Sequence, residues 1–151
     1  ERGLRTVLNP SPFDASLLKA PLERLYALIV NETEARGFLG DEAEGVEVDG
    51  LMALLERRYP VVNLILTLGS RGACGRAPGA EPFFVPAVKM KAVDTTGAGD
   101  TFAGYAVAAL AAGEDLRTAM NRAAKASAIS VTREGAATSI PRRSEVEALA
   151  V

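Results

Sequence analysis

In the segment Val93-Asp94-Thr95-Thr96-Gly97-Ala98-Gly99-Asp100-Thr101-Phe102, two glycines separated by one alanine lead into an apolar stretch of helical character, and a carboxylate directly follows the second glycine. Glycine lets the backbone turn tightly with its N–H groups outward. A helix start leaves its first N–H groups unpaired and carries the positive end of the helix dipole. Together these features make a pocket for an anion, most often phosphate. A carboxylate in that place would repel the anion if binding were its only task. It makes sense where it removes a proton from a nucleophile, so the combination points to phosphoryl transfer to a hydroxyl.

Two other phosphate loops are excluded. A dinucleotide-binding fingerprint needs a third glycine where Phe102 stands. A P-loop needs Gly-Lys-Ser/Thr, and the chain has no such run. The chain also has no histidine, which removes the commonest general base and metal ligand. Catalysis must rest on carboxylates, backbone amides, hydroxyls, Lys or Arg, and any metal must be a hard cation held by oxygens.

The totals bound the rest. A chain of 151 residues with 48% hydrophobic and 24% charged residues is long enough for one domain with a real core. A net charge of −2 gives no bulk attraction to nucleic acid or an anionic membrane. The longest apolar runs, Tyr26–Val30 and Leu64–Leu68, are too short to span a bilayer. The single cysteine, Cys74, reads as a small packed residue, and without an internal disulfide or a secretion signal the expected home is the cytoplasm. The chain opens on Glu1-Arg2-Gly3 without methionine and reads like the middle of a fold.

The elements that must position the loop follow from punctuation and periodicity. Strands are expected over Leu4–Leu8, Ala27–Val30 and Val61–Leu68; Ala27–Val30 is a continuous apolar run suited to a parallel strand buried on both faces. Helices are expected over Leu17–Leu25, Glu32–Leu39 (closed by Gly40) and Leu51–Tyr59 (stopped by Pro60). Between the last two, the acidic segment 41–49 reads as exposed. Ala73–Arg76 and Pro82–Val85 read as a hairpin at a sheet edge. Further helices are expected over Ala98–Ala112 (capped by Gly113), Leu116–Val131 and Ser144–Ala150, with Ser144 as N-cap. Strands alternating with helices point to an open α/β sheet.

Three more segments add to the central loop. Asn31 and Glu34 share a face on a first helical turn, where they also make a good capping box. Thr67-Leu68-Gly69-Ser70-Arg71-Gly72 is a strand end and turn that lets a ligand approach the backbone; Arg71 reaches either a phosphate or solvent. Val131-Thr132-Arg133-Glu134-Gly135-Ala136 closes a helix into a loop. With Asp94–Phe102, and in this order, these segments resemble the motifs of the ribokinase-like (PfkB) carbohydrate kinases, and the resemblance runs over nearly the whole chain.

That resemblance implies the C-terminal part of a ribokinase-like, Rossmann-like three-layer α/β/α fold with a mostly parallel sheet. Residues 1–151 would form a single nucleotide-binding and catalytic portion, with the N-terminal substrate and lid half absent. The implied activity is ATP-dependent phosphorylation of a sugar hydroxyl. Asp100 would be the general base, and Gly97, Ala98 and Gly99, with the Asp100 amide, the anion hole; such donors are each worth roughly 3–4 kcal/mol in comparable sites. Nucleotide contacts would come from Asn31, Thr67, Gly69, Ser70, Arg71, Gly72 and Gly99. Glu34, with Asn31, would organise Mg²⁺ through water. Oxygens of Asp94, Thr96, Ser130, Arg133, Gly135 and Ser139 would hold a monovalent cation, K⁺. Ala124 stands where the family often places a polar residue or histidine near adenine. The implied partners are a small-molecule sugar and ATP, with a homodimer for the full-length protein. The alternatives are a non-catalytic nucleotide-binding fragment, or a kinase for another acceptor such as a nucleoside or a sugar phosphate.

Overall fold

The computed structural model describes residues 3–150. Glu1 and Arg2 of the expected mid-fold start lie outside the described residues. The sheet contains β1 (Val7–Leu8), β2 (Ala27–Asn31), β3 (Asn63–Thr67), β4 (Gly72–Arg76) and β5 (Phe83–Pro86), hydrogen-bonded in that order. The helices are α1 (Glu32–Leu39), α2 (Val48–Arg58), α3 (Ala98–Ala111), α4 (Leu116–Ser130) and α5 (Arg143–Ala148). This is an α/β fold, as the alternation of elements predicts. No helix among the described residues is long and apolar enough to cross a membrane.

By their internal contacts the described residues form two compact units, one of residues 3–68 and 74–83, the other of residues 69–73 and 84–150. The first is built on parallel pairing of β1 with β2 and of β2 with β3, in a register that sets Ala27 beside Asn63 and Asn31 beside Thr67. Ala27 to Val30 are all buried, which is why the run carries no polar alternation. α1 and α2 pack on this sheet. Leu28, Val30, Phe38, Leu51, Leu55, Leu64 and Leu66 form the centre of its core. Each contributes about 1.5–3 kcal/mol of burial. Cys74 is half-buried against the same cluster.

Four expectations need correction. The helix read over Leu17–Leu25 is two short 3₁₀ turns, Ala15–Lys19 and Leu22–Arg24, because Pro21 forces Ala20 into an extended conformation (ψ 154°) that ends the first. β1 is shorter than Leu4–Leu8. In the acidic segment 41–49 the five carboxylates are exposed as expected, while Ala43 is buried and Arg36 on α1 donates to the carbonyls of Ala43 and Val46, both at 2.9 Å. α2 starts at Val48 instead of Leu51. Finally, α5 starts at Arg143 and its N-cap is Arg142, not Ser144, because Glu145 reaches back to the Arg142 N–H at 2.7 Å.

In the second unit α3 lies along α4. Their contact is lined with fully buried alanines such as Ala106, Ala109, Ala119 and Ala123, whose small side chains let two backbones come close. Gly113 closes α3, with the N–H groups of Gly113 and Glu114 returning to Leu110 and Ala109 carbonyls, both at 3.1 Å. α5 covers the end of α4 through Val146, Ala126 and Ile129. The Tyr105 hydroxyl donates to the Pro141 carbonyl at 2.6 Å, fixing the segment that leads into α5.

Candidate functional site

The central loop enters α3 without a side-chain cap. Gly97 is its N-cap residue, in the left-handed region at φ +74°, and supplies no side-chain cap. A Cβ at Gly97 would lie 3.1 Å from Cα and Cβ of Ala136, so the position is closed to other residues by strain and by contact. The Ala98 N–H donates to the Thr95 carbonyl at 3.2 Å, and the Thr101 N–H to the Gly97 carbonyl at 2.8 Å. Between them, the N–H groups of Gly99 and Asp100 have no acceptor among the described residues. These two donors would ordinarily be met by an N-cap side chain. Gly99 has open space where a Cβ would stand, and Asp100 is exposed on the same first turn.

The loop before α3 is clamped to the loop after α4. Asp94 accepts from the Thr96 N–H on Oδ1 and from the Gly135 N–H on Oδ2, both at 2.9 Å. The bonds from Thr96, and after them the Gly135 amide, hold the Asp94 carboxyl below the usual carboxylate range. The N–H groups of Val93 and Asp94 donate to the Val131 carbonyl at 2.7 and 3.2 Å. Ser130 and Ser139 are buried, and their hydroxyls donate to the Ser127 and Ala136 carbonyls at 2.8 and 2.7 Å. The Arg133 guanidinium pairs with Glu145, which anchors this loop to α5. The unit thus brings Asp94, Thr96, Gly97, Gly135 and Ser139 around one loop pair. Among the described residues no three of His, Cys, Asp and Glu come together as a metal group.

The turn of Gly69 to Gly72 is stitched to the segment after β5. Gly72 sits at φ +127°, and a Cβ there would fall 2.2 Å from the Val85 carbonyl oxygen, so only glycine allows this approach. The Ala87 N–H donates to the Arg71 carbonyl at 3.2 Å. Next to this segment is a cavity of about 370 Å³ lined by Val85, Pro86, Val88, Lys89, Asn121 and Ala124, among others. Of its lining only Ala124 carries a sequence signal, through its small size at a place where a larger polar residue is expected.

In the first unit, Asn31 and Glu34 form the expected capping box: Asn31 Oδ1 accepts from the Glu34 N–H, and Glu34 Oε2 from the Asn31 N–H, both at 2.9 Å. Thr67 is Asn31's register partner on β3, and its hydroxyl lies 3.4 Å from the Val30 carbonyl. Both residues end parallel strands at their carboxyl ends, where open α/β sheets bind ligands.

The model of the pfkB family carbohydrate kinases matches residues 2–143. The chain belongs to that family. Ribokinase of Schizosaccharomyces pombe is 36% identical over 150 residues, covering 97% of this chain and 47% of that protein. Among solved structures, ribokinase from Cryptococcus neoformans var. grubii in complex with ADP matches at 36% identity with a TM-score of 0.83, over 95% of this chain and 52% of the other. A Burkholderia thailandensis nucleoside kinase in complex with inosine matches at 28% identity and a TM-score of 0.74, over 97% and 47%. The pfkB chain described here therefore has a ribokinase-like fold and spans about half the length of the curated relatives it matches.

Proposed function

We propose that residues 1–151 are the nucleotide-binding and catalytic portion of a kinase that transfers the γ-phosphoryl group of ATP to a sugar hydroxyl. The single observation that carries this reading is the start of α3. Two unpaired N–H groups, of Gly99 and Asp100, stand at a positive helix end beside an exposed carboxylate. The ADP of the fungal ribokinase supports a nucleotide as the other ligand.

In this mechanism the Asp100 carboxylate takes the proton of the acceptor hydroxyl. The hydroxyl oxygen forms its bond to the γ-phosphorus while the bond to the departing ADP oxygen breaks. The Gly99 and Asp100 amides donate to the oxygens that carry the growing charge, and Gly97 shapes the turn that aims them. Ala98 contributes through its turn with Thr95, since its own N–H is already used. In such transfers positioning and electrostatics do nearly all the work.

The remaining residues share the binding of ATP. Gly69, Ser70, Arg71 and Gly72 present backbone and side-chain groups to the nucleotide, and the cavity beside Ala124 takes its base. Asn31 and Thr67 contact the phosphates. Glu34, whose Oε2 accepts from the Asn31 N–H, would hold Mg²⁺ through water with its other oxygen, where the cation would supply positive charge to the phosphates. The oxygen-only set of Asp94, Thr96, Ser130, Arg133, Gly135 and Ser139 fits a monovalent cation, as buried hydroxyls that donate to carbonyls keep lone pairs to offer. Such a cation, when bound, supplies fixed positive charge near the loop.

The test is Asp100→Asn in the intact kinase, with ribose as the first acceptor because the relatives are ribokinases. We expect a loss of about 10²–10⁴ in kcat with ATP affinity little changed, the range of a lost general base. Near wild-type turnover would end the role. Inosine belongs in the same assay: turnover with inosine and none with ribose would move the acceptor to a nucleoside, as in the bacterial relative. ATP binding without turnover of any acceptor would favour a non-catalytic nucleotide-binding fragment.

A further inference from the structure

Ser127 lies in α4, twenty-nine residues from Ala98, and its hydroxyl donates to the Ala98 carbonyl at 3.0 Å. That carbonyl shares one planar peptide group with the Gly99 N–H. Whatever fixes the C=O fixes the direction of the N–H at the other side of the same plane. A hydrogen bond accepted by the C=O also polarises the peptide and strengthens its N–H as a donor.

The contact does not stand alone. The Ser127 carbonyl accepts from the Ser130 hydroxyl at 2.8 Å and from the Val131 N–H at 3.2 Å. The Val131 carbonyl in turn receives the N–H groups of Val93 and Asp94. The loop from Val93 to Ala98 is thus held at both ends by the last turn of α4: at its start by Val131, at its end by Ser127.

We propose that Ser127 is a positioning residue for phosphoryl transfer, whose hydroxyl aims and polarises the Gly99 N–H toward the transferring group. The inference rests on the reading of Gly99 as an anion-hole donor. Ser127 itself touches neither substrate nor nucleotide. Its effect should be concentrated in the transition state, where charge builds on the phosphoryl oxygens, and absent from ground-state nucleotide binding.

The experiment compares wild type, Ser127→Ala, Ser127→Thr and Asp100→Asn in the intact kinase with ATP and ribose. It also measures binding of ADP alone and of ADP with aluminium fluoride, a mimic of the transferring phosphoryl group that needs no acceptor. For Ser127→Ala we expect kcat to fall about threefold to thirtyfold, a fraction of the loss from deleting a whole donor. The KM for ATP should stay within about twofold of wild type, since the contact is not part of ground-state binding. Affinity for ADP–aluminium fluoride should fall by a similar factor while affinity for ADP alone does not. Ser127→Thr, which keeps the hydroxyl, should restore both. Unchanged kcat and unchanged aluminium fluoride binding in Ser127→Ala overturn the proposal. So does an equal loss in ADP and ADP–aluminium fluoride binding, or a failure of Ser127→Thr to recover, either of which marks a merely structural role. If Asp100→Asn keeps its turnover, the parent reading falls; if only Asp100→Asn is impaired, the parent stands and Ser127 is dismissed.

Discussion

Helices α1 and α3 begin in opposite ways. At α1 side chains cap the end: Asn31 and Glu34 exchange hydrogen bonds, so that the Asn31 and Glu34 N–H groups are both met. At α3 the cap is a glycine with no side chain, and the Gly99 and Asp100 amides stay open. α4, capped by Asp115, resembles α1. An N-cap side chain ordinarily contributes about 1 kcal/mol. An end that forgoes it within a braced loop leaves two donors without an acceptor among the described residues, which is what the proposed anion hole requires. The brace is also different in kind, because it comes from distant residues: Ser127, Val131 and Gly135 all bond to a loop they do not belong to.

The comparison breaks if damage at the open end costs only stability. Gly97→Ala should be the most severe of the simple changes. It places a Cβ 3.1 Å from Ala136 at φ +74°, and the loop can accept it only by shifting. The shift needed is a few tenths of an ångström, less than the displacement of about 1 Å that costs on the order of 10² in rate, so steady-state kinetics should show a loss of about tenfold in kcat. Thermal unfolding should show a destabilisation of about 1–2 kcal/mol. A stability loss with unchanged kcat would return α3 to the status of an ordinary helix start.

The closed end can be sharpened by a pair of changes at Asn31. Asn31→Ala should cost about 1 kcal/mol in chemical denaturation, the usual value of a lost cap. Asn31→Asp keeps the acceptor and should restore most of that stability, since Asp and Asn cap about equally well. It also brings a negative charge to the residue proposed to meet the ATP phosphates, so calorimetry should show ATP binding weakened by about tenfold. Restored stability with undiminished ATP affinity would leave Asn31 a cap and nothing more.

The smallest effect is expected at α4. Thr118, by side chain and then by amide, lowers the Asp115 pKa below its ordinary value. A carboxyl with a depressed folded pKa stabilises the fold above its unfolded pKa of about 4 and loses that contribution as pH falls through the folded value. Asp115→Asn should therefore melt slightly below wild type at neutral pH, with the gap closing as pH falls below about 4. A constant gap across that range would show that the charge of Asp115 is irrelevant and only its cap geometry matters.

Legibility in the sequence follows the same division between local and distant causes. The α1 cap, the buried run Ala27–Val30 and the start of α3 at Gly97 are set by neighbours in the chain, and each stands where its residues predict. The Leu17–Leu25 reading fails because it takes Pro21 as part of a first helical turn, whereas Pro21 ends the 3₁₀ turn before it. The start of α2 was missed because Glu47 offers no side-chain cap to mark it. Of the proposed site, the place of Gly97, Gly99 and Asp100 at a helix start is legible, because two glycines ahead of an apolar helical run mark a tight turn into a helix. Ser127, and the role of Asp94 as a clamp on Gly135, are not. They act across 29 and 41 residues, and a serine in a helix looks the same whether or not a carbonyl waits opposite.

The path of the backbone through the two units has its own consequence. Residues 3–68 and 74–83 belong to one, 69–73 and 84–150 to the other, so the chain passes between them three times. Residues 74–83 are tied into the first unit by Arg76, buried at 4% exposure, whose guanidinium donates to Glu56 at 3.0 Å and to the Pro60 carbonyl at 2.6 Å. No single cleavage can therefore release either unit whole. A gene exchange at position 68 would deliver the second unit with a strand of the first still attached, its arginine stripped of both acceptors. An exchange that keeps both units whole must therefore carry residues 3–150 together.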